Sequence, residues 1–579
     1  MAGIDPRLQR LIVRSLEDET RAPVAKPEEE TAVIARISDV RAWSEHPSVR
    51  SMSVSPPLPD RSVIVTGRVP VNQIQGLRRE PYVLSLKAAH RVRRQLSATV
   101  PELAANQLPE TSLCNGGKGV VIGIIDNGCD FAHPNFRTAA GATRLVGIWD
   151  QSQPLRPVDA GRVKYGRFFT TDEINGALQH ADPYSALGYS PPQGAHGTHV
   201  MDIAGGNGLG TGQAGVAPQA DLLFVEISAG EAAGAALPPG LGDSVHLVEA
   251  VSLVFETAAA RPCVVNVSLG SNSGPHDGSS LVEQMFDSIT AAGPNRSIAV
   301  AAGNAFADGI HFGGHLGPGG VVDLDWVLDD PLADDAELEI WYARNGRFTA
   351  DILSPDGRLI VSVPAGGSRN LTVAGQSKVM ASNRLSDPNN GDNQIAVFLG
   401  GGAPGGIWKV RLHAVGAGSG DFHAWIERDD SDQSAFAGDP TDNTHTISSL
   451  AGGRGTIVVG AYSAHDLAKP LHFGSAAGPT RDGRLKPDVS APGVSVAAAN
   501  ARQPGTLVLS GTSMAAPATA GAIALLLAEA HAKGVSLSAA DIRNQFLSSA
   551  PPAPAADPRY GVGRVSAGAV IQQFLTLHP

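Results

Sequence analysis

The sequence predicts an α/β protein in which a mainly parallel sheet carries helices on both faces, joined by two further β-containing domains. Three observations predict it. Nearly continuous apolar runs at 118–125, 222–227, 263–267, 298–302 and 456–459 suit strands buried on both faces. Helix-like stretches at 197–205 and 244–260 fall between some of these runs, and such alternation implies helices packed on a sheet. Between 314 and 429 that rhythm stops and period-2 alternation replaces it.

In chain order, residues 1–30 are polar and charged and read as a mobile leader. Residues 31–100 read as a small domain. A strand at 31–38 precedes a short helix at 39–48, with Asp39 as its N-cap. β-rich stretches at 49–55 and 62–69 flank the turn signal Pro56-Pro57-Leu58-Pro59-Asp60. A helix opens on Pro70 and a strand at 82–86 closes the unit. The order βαββαβ is the ferredoxin-like arrangement. Residues 101–313 and 430–579 form the α/β core, interrupted by an insert at 314–429. In the insert Leu338, Ile340 and Tyr342 alternate with Glu337, Glu339 and Trp341, and Trp408, Val410 and Leu412 with Lys409, Arg411 and His413. Asp356-Gly357 marks a hairpin. About eight such strands fit a β-sandwich or jelly roll.

Composition narrows the partners. The chain of 579 residues has 44 Lys and Arg against 56 Asp and Glu, a net charge of −12, which disfavours a nucleic-acid binder. Three cysteines (Cys114, Cys129, Cys263) cannot make a disulfide framework and read as buried thiols. Residues 1–20 hold no apolar run of signal-peptide length, and no run reaches the ~18 apolar residues of a membrane span. The expectation is a cytoplasmic protein without a membrane span, with export by a non-classical route left open.

Three segments carry chemistry. Asp126 ends a buried strand, where open α/β sheets place functional groups. His196-Gly197-Thr198-His199-Val200 begins a helix. Gly511-Thr512-Ser513-Met514-Ala515-Ala516-Pro517 leads into a long apolar helix. Taken singly, each has a structural reading: Asp126 as a strand-end cap, His196 as a satisfied core histidine, Ser513 as a helix cap. Taken together, Asp, His and Ser in that order match one of the convergent hydrolytic triads.

The surrounding residues strengthen this. Segment 120–136 (VVIGIIDNGCDFAHPNF), HGTHV, Gly215-Val216-Ala217-Pro218, Val265-Asn266-Val267-Ser268-Leu269-Gly270, Ala301-Ala302-Gly303-Asn304, Lys486-Pro487-Asp488, GTSMAAP and Gly561-Val562-Gly563-Arg564-Val565 together resemble the subtilases, the subtilisin-like serine proteases, over about residues 112–575 outside the insert. The resemblance implies a subtilisin-like fold and a serine endopeptidase acting on polypeptides. It implies Ser513 as nucleophile, His196 as general base, Asp126 as its orienting carboxylate and Asn304 as oxyanion donor. It places substrate along Ser268, Leu269, Gly270, Ala302 and Gly303. It also makes residues 31–100 a propeptide-like domain that occupies the cleft until removed, with self-cleavage within 95–113. No cofactor is required. Calcium often stabilises the family, but no oxygen-ligand loop here is compelling, so metal ligands stay unassigned.

Two departures stand out. Met201-Asp202 follows HGTHV where the family usually has small residues, which alters packing behind His196. The stretch 149–194 is long and reads as a surface loop bordering the cleft. Two rivals stay open: a catalytically silent protein that binds a partner through its cleft or insert, and an esterase or transpeptidase using the same acyl-enzyme.

Overall fold

The computed structural model describes residues 30–54, 62–88, 98–227, 244–329, 331–332, 335–373, 376–429, 433–437 and 442–579. The leader up to residue 29, the turn at 56–60 and residues 95–97 of the expected self-cleavage stretch lie outside them. The chain divides into two units, Met1–Arg93 and Arg94–Pro579.

The first unit follows the expected βαββαβ order. Strands Glu30–Ile37, Arg50–Val54, Val63–Pro70 and Val83–Ala88 form one antiparallel sheet in the spatial order second, third, first, fourth. Helices Val40–Glu45 and Ile74–Arg79 complete it. The Asp39 carboxylate caps the first helix by accepting from the backbone N–H groups of Arg41 and Ala42 at 2.9 and 3.0 Å. Pro70 differs from expectation. It ends a strand, and a 3-10 turn, Val71–Gln73, intervenes before the helix. At a strand's last residue the missing N–H interrupts no internal ladder bond. Trp43, Val65, Ile74 and Leu77 fill the core.

The second unit is built on an eight-stranded sheet. Its spatial order is Val489–Pro492, Ile457–Tyr462, Arg296–Ala301, Cys263–Val267, Val121–Asp126, Asp221–Glu226, Leu145–Asp150, Arg167–Thr170. Every neighbouring pair is parallel except the last. Val121–Asp126 is buried at all six positions. Its even-numbered residues, Ile122 and Ile124, join Val200, Ile203 and Leu525 from the helices His196–Gly205 and Thr512–Ala532. Val121 and Ile125 join Val251, Val254 and Phe286 from Ser244–Ala258 and Leu281–Ala291. Burial on both faces explains the unbroken apolar run.

Two expectations need correction or sharpening, and that for the cysteines holds. The stretch 149–194 is not a loop. Trp149 lies in a strand, Arg167–Thr170 pairs with that strand at the sheet edge, and two short helices follow, because Trp149 and Phe168 are buried on one face of the sheet and Phe169 on the other. The helix Thr512–Ala532 is long and apolar enough to cross a membrane, yet 94% of its most apolar window is buried inside this unit. Its one carboxylate, Glu529, accepts from Ser112 Oγ and Leu113 N at 2.7 Å each. The three cysteines are buried and unpaired.

The insert is wider than expected, from His311 to Phe436, and richer than a sandwich of about eight strands. The described residues form a six-stranded and a five-stranded antiparallel sheet that enclose Trp326, Tyr342, Phe348, Ile395 and Trp408. It clamps the chain that follows the Cys263–Val267 strand. Glu427 accepts from Asn272 N at 2.8 Å and Ser273 N at 3.3 Å. Trp425 stacks on His276 with ring centroids 4.1 Å apart. Arg481 reaches both Asp277 and Asp392 at 2.7 Å.

Candidate active site

Asp126 sits at the C-terminal end of a central strand, almost fully buried. Its Oδ1 accepts from Asn127 N at 2.8 Å and lies 2.7 Å from His196 Nδ1. His196 opens its helix without a side-chain cap; instead Gly197 N donates to the Asn127 carbonyl at 2.8 Å. A Cβ on Gly197 would fall 2.6 Å from Phe224 Cζ and 2.9 Å from that carbonyl, so glycine lets the helix start against the strand end. Thr198 Oγ1 donates to Gly128 O at 2.9 Å and receives Asp130 N at 2.8 Å, tying helix to loop. Burial pulls the His196 imidazole down, but the charge and hydrogen bond of Asp126 outweigh it and raise the pKa above the usual 6.5. Its neighbour His199 has the opposite character. It is fully buried, its Nε2 faces the carbonyls of Val496 and Leu507 at 3.0 and 3.1 Å, and burial lowers its pKa to about 4. His199 is the structural histidine of the pair.

Ser513 lies in the first turn of Thr512–Ala532. Pro517, four residues on, has no N–H for the Ser513 carbonyl. Ser268 Oγ takes that place, donating to Ser513 O at 3.2 Å, while Ser513 Oγ donates to Ser268 O at 3.3 Å. The turn carrying Ser513 and the strand extension thus hold each other. Asn304 belongs to the same constellation. Its Oδ1 accepts from Thr512 N at 2.9 Å and Thr512 Oγ1 at 3.1 Å, which leaves the amide Nδ2 as the free end. Gly511, with φ +147°, lies so close that a Cβ would come 3.2 Å from Asn304 Oδ1. The structure therefore joins Asp126 to His196, and Ser513 and Asn304 to the turn at Thr512. No hydrogen bond joins Ser513 to His196; their two helices pack against each other.

A cavity of about 240 Å³ adjoins Ser513 and Asn304. Of the residues expected along the substrate, Ser268, Leu269, Gly270 and Gly303 line it. Ala302 does not: its side chain is fully buried, and its N–H and carbonyl are taken by Val459 O and Ser448 N. Sequence reasoning missed Asp308, Arg428 and Gln433, which reach this cavity, two of them from the far end of the insert. It also missed Glu226, which pairs in register with Asp126 at the end of the next strand. Glu226 Oε2 accepts from Gly128 N at 2.8 Å and from the Tyr189 hydroxyl at 2.5 Å, and burial lifts its pKa to about 7. A second carboxylate at a buried strand end was the available signal. Asp202, flagged as a departure, is an organising centre. Its Oδ1 accepts from Asn135 Nδ2 at 2.6 Å and its Oδ2 from Ala499 N at 2.7 Å, with a pKa raised by burial to about 6.

The Subtilase family model matches residues 117–316 and 365–563. A PII-type proteinase of Lacticaseibacillus paracasei is 28% identical over 202 residues, 33% of this chain and 10% of that protein. An intracellular serine protease of Paenibacillus polymyxa is 23% identical over 43% of this chain and 60% of its own length. The major intracellular serine protease of Bacillus subtilis (strain 168) is 25% identical over 33% and 45%. The chain thus spans only part of each of these relatives. Among solved structures, the Clostridium perfringens CspB protease superposes with a TM-score of 0.70 at 24% identity, covering 83% of this chain and 97% of that one, a likeness of fold. The family match takes in the strand ending in Asp126, the helix opening on His196 and the turn carrying Ser513, and by it this chain belongs to the subtilase family.

Proposed function

We propose that this protein is a serine endopeptidase that hydrolyses peptide bonds through an acyl-enzyme on Ser513. The observation that carries the reading is the 2.7 Å contact of His196 Nδ1 with buried Asp126. It fixes the tautomer in which Nδ1 bears the proton and Nε2 is a bare lone pair, the form a general base needs. In the reaction Ser513 Oγ leaves the Ser268 carbonyl, gives its proton to His196 Nε2 and attacks the substrate carbonyl. Catalytic hydrogen bonds are often long or poorly aligned before substrate binds and tighten in the complex. His196 then returns the proton to the leaving amine, and water repeats the cycle in reverse. Asn304 Nδ2 and the Ser513 N–H, at the positive end of a 21-residue helix, receive the oxyanion. Substrate backbone pairs along Ser268, Leu269 and Gly270, and the side chain before the scissile bond enters the cavity beside Gly303. The 31–100 domain acts as a propeptide. Two relatives named intracellular serine proteases support a cytoplasmic location.

The Ser513–Ser268 hydrogen bond favours the rival reading, a silent fold that binds a partner. A fluorophosphonate probe separates the two. Labelling of the native chain that disappears in Ser513→Ala is the expected result. No labelling at any pH from 6 to 9, in a chain freed of residues 31–100, would remove the enzyme reading.

A further inference from the structure

We propose that His311, His423 and His445 form a binding site for a divalent transition-metal ion of the zinc class, which staples the insert to the catalytic core. The proposal is independent of the catalytic reading. One ring nitrogen from each histidine lies within 4.8 Å of the other two. The three come from separate segments: His311 begins the first strand of the insert, His423 lies in the strand Gly420–Ile426, and His445 follows the insert on the way back to the core. His311 is fully buried and the other two are partly buried.

Several features distinguish this cluster from packed aromatic rings. His311 Nε2 points at His423 Nδ1, 3.0 Å away. Its other nitrogen, Nδ1, faces Asp442, 3.2 Å from the backbone carbonyl and 3.3 Å from Oδ2. A carboxylate on the far nitrogen is the usual partner of a metal-bound imidazole, because it fixes the tautomer and strengthens the ligand. His445 is held likewise: Thr444 Oγ1 lies 2.7 Å from its Nδ1 and donates to Asp442 Oδ1 at 2.6 Å. One short segment, 442–445, thus supplies a ligand together with the groups that orient two of them. Bond lengths of about 2.0–2.1 Å from zinc to nitrogen place tetrahedral ligands about 3.4 Å apart. The His311–His423 pair, at 3.0 Å, opens slightly to reach this, and the wider spacing within the 4.8 Å cluster closes by about an ångström.

Gly313 adds a second, independent sign. It pairs with His423 across the two strands. A Cβ there would lie 3.2 Å from His423 Nδ1, 3.3 Å from Asp442 Oδ2 and 3.3 Å from His311 Cε1. Its backbone is ordinary strand, so the absent side chain serves space and not conformation. That space suits a fourth ligand, such as water. Imidazole donors select zinc, copper, nickel or iron over calcium and magnesium. The floor is apolar, since Trp425 lies 5.1 Å from the His311 ring. Three residues beyond His445, Ser448 donates its N–H to Ala302 O at 2.7 Å and its hydroxyl to Ser271 O at 3.2 Å. An ion at this cluster therefore fixes the insert against the wall of the substrate cavity.

The test uses the full chain carrying Ser513→Ala, to prevent self-digestion, stripped with chelator and titrated with Zn²⁺ in competition with a chromogenic chelator. Cobalt absorption in the visible range reports geometry. The expected result is one equivalent of Zn²⁺ per chain and tetrahedral cobalt bands, both lost in His423→Ala. Asp442→Ala lowers affinity by about 10–100-fold. Gly313→Ala blocks uptake while its near-ultraviolet circular dichroism stays that of the parent, which covers the case of a histidine variant that does not fold. Failure of the parent chain to take up Zn²⁺ stoichiometrically, or equal uptake by folded His423→Ala or Gly313→Ala, would overturn the proposal.

Discussion

The parallel sheet of the core and the antiparallel sandwich of the insert bury their strands in opposite ways. Val121–Asp126 is buried at every position, whereas Asn393–Leu399 is buried at every second one. Two covered faces leave a core strand only its ends for chemistry, and Asp126 and Glu226 stand there, side by side. One covered face leaves an insert strand a polar side along its length. There Asp323 grips Lys409 and Arg411 at 2.7 and 2.6 Å across neighbouring strands. The core thus gathers its candidate site residues at strand ends and helix starts, and the insert spreads its polar groups over a surface. Substitutions in the two regions should fail differently, by chemistry in the first and by stability in the second.

The sharpest form of that contrast is Ser513→Ala. It should lower kcat by about 10⁶-fold, a magnitude taken from a subtilisin, with the thermal midpoint little changed. A residual rate within tenfold of the parent on a peptide substrate would break the comparison at its root. Next is Asn304→Ala, expected to cost about 10²–10³ in kcat, again a subtilisin value, with KM nearly constant. A rise in KM alone would place Asn304 in ground-state binding.

On the insert side, Ile395→Ala removes a fully buried side chain and should destabilise by about 2–5 kcal/mol, measured by urea unfolding. Its kcat should stay near the parent value below the transition. Parallel loss of kcat and stability would show that the sandwich shapes the cleft directly. Asp202→Ala sits between the regions in kind: it removes the acceptor of Ala499 N, at about 1–3 kcal/mol, and leaves Asn135 Nδ2 with Thr211 Oγ1 as its remaining partner. Calorimetry of this variant should also show a flatter pH dependence. Asp202 carries a folded pKa of about 6, above its unfolded value, so it favours the folded state at low pH and loses that contribution as pH rises toward 6.

The two regions were also legible to different degrees. Apolar runs and the three motif segments placed Asp126, His196 and Ser513, because a buried parallel strand and a helix start each have a local signature. Alternation identified the insert but not its extent, since His311–Leu316 contains two glycines and shows no clean period. Its pairing with Gly420–Ile426 is a long-range fact. The cavity residues Arg428 and Gln433 were invisible for the same reason: the fold brings them to Ser513 from 80 or more positions away. Asp202 was noticed only as a misfit, and its partners Asn135 and Ala499 carry no pattern linking them to it.

The smallest expected effect joins the two regions. Under the proposed mechanism the neutral imidazole is the working form, so the raised His196 pKa should put the acidic limb of kcat/KM above pH 6.5. The same shift stabilises the folded chain below pH 6.5, and that contribution is lost as pH rises through the folded value. Asp126 is the charge that raises it, and Arg428, from the last part of the insert, opposes it. Arg428→Ala should therefore move the acidic limb to higher pH, and added salt should shrink the difference because Arg428 is exposed. An unmoved limb in Arg428→Ala would mean that the insert contributes no electrostatic influence at His196, and that its part in catalysis is confined to the cavity wall.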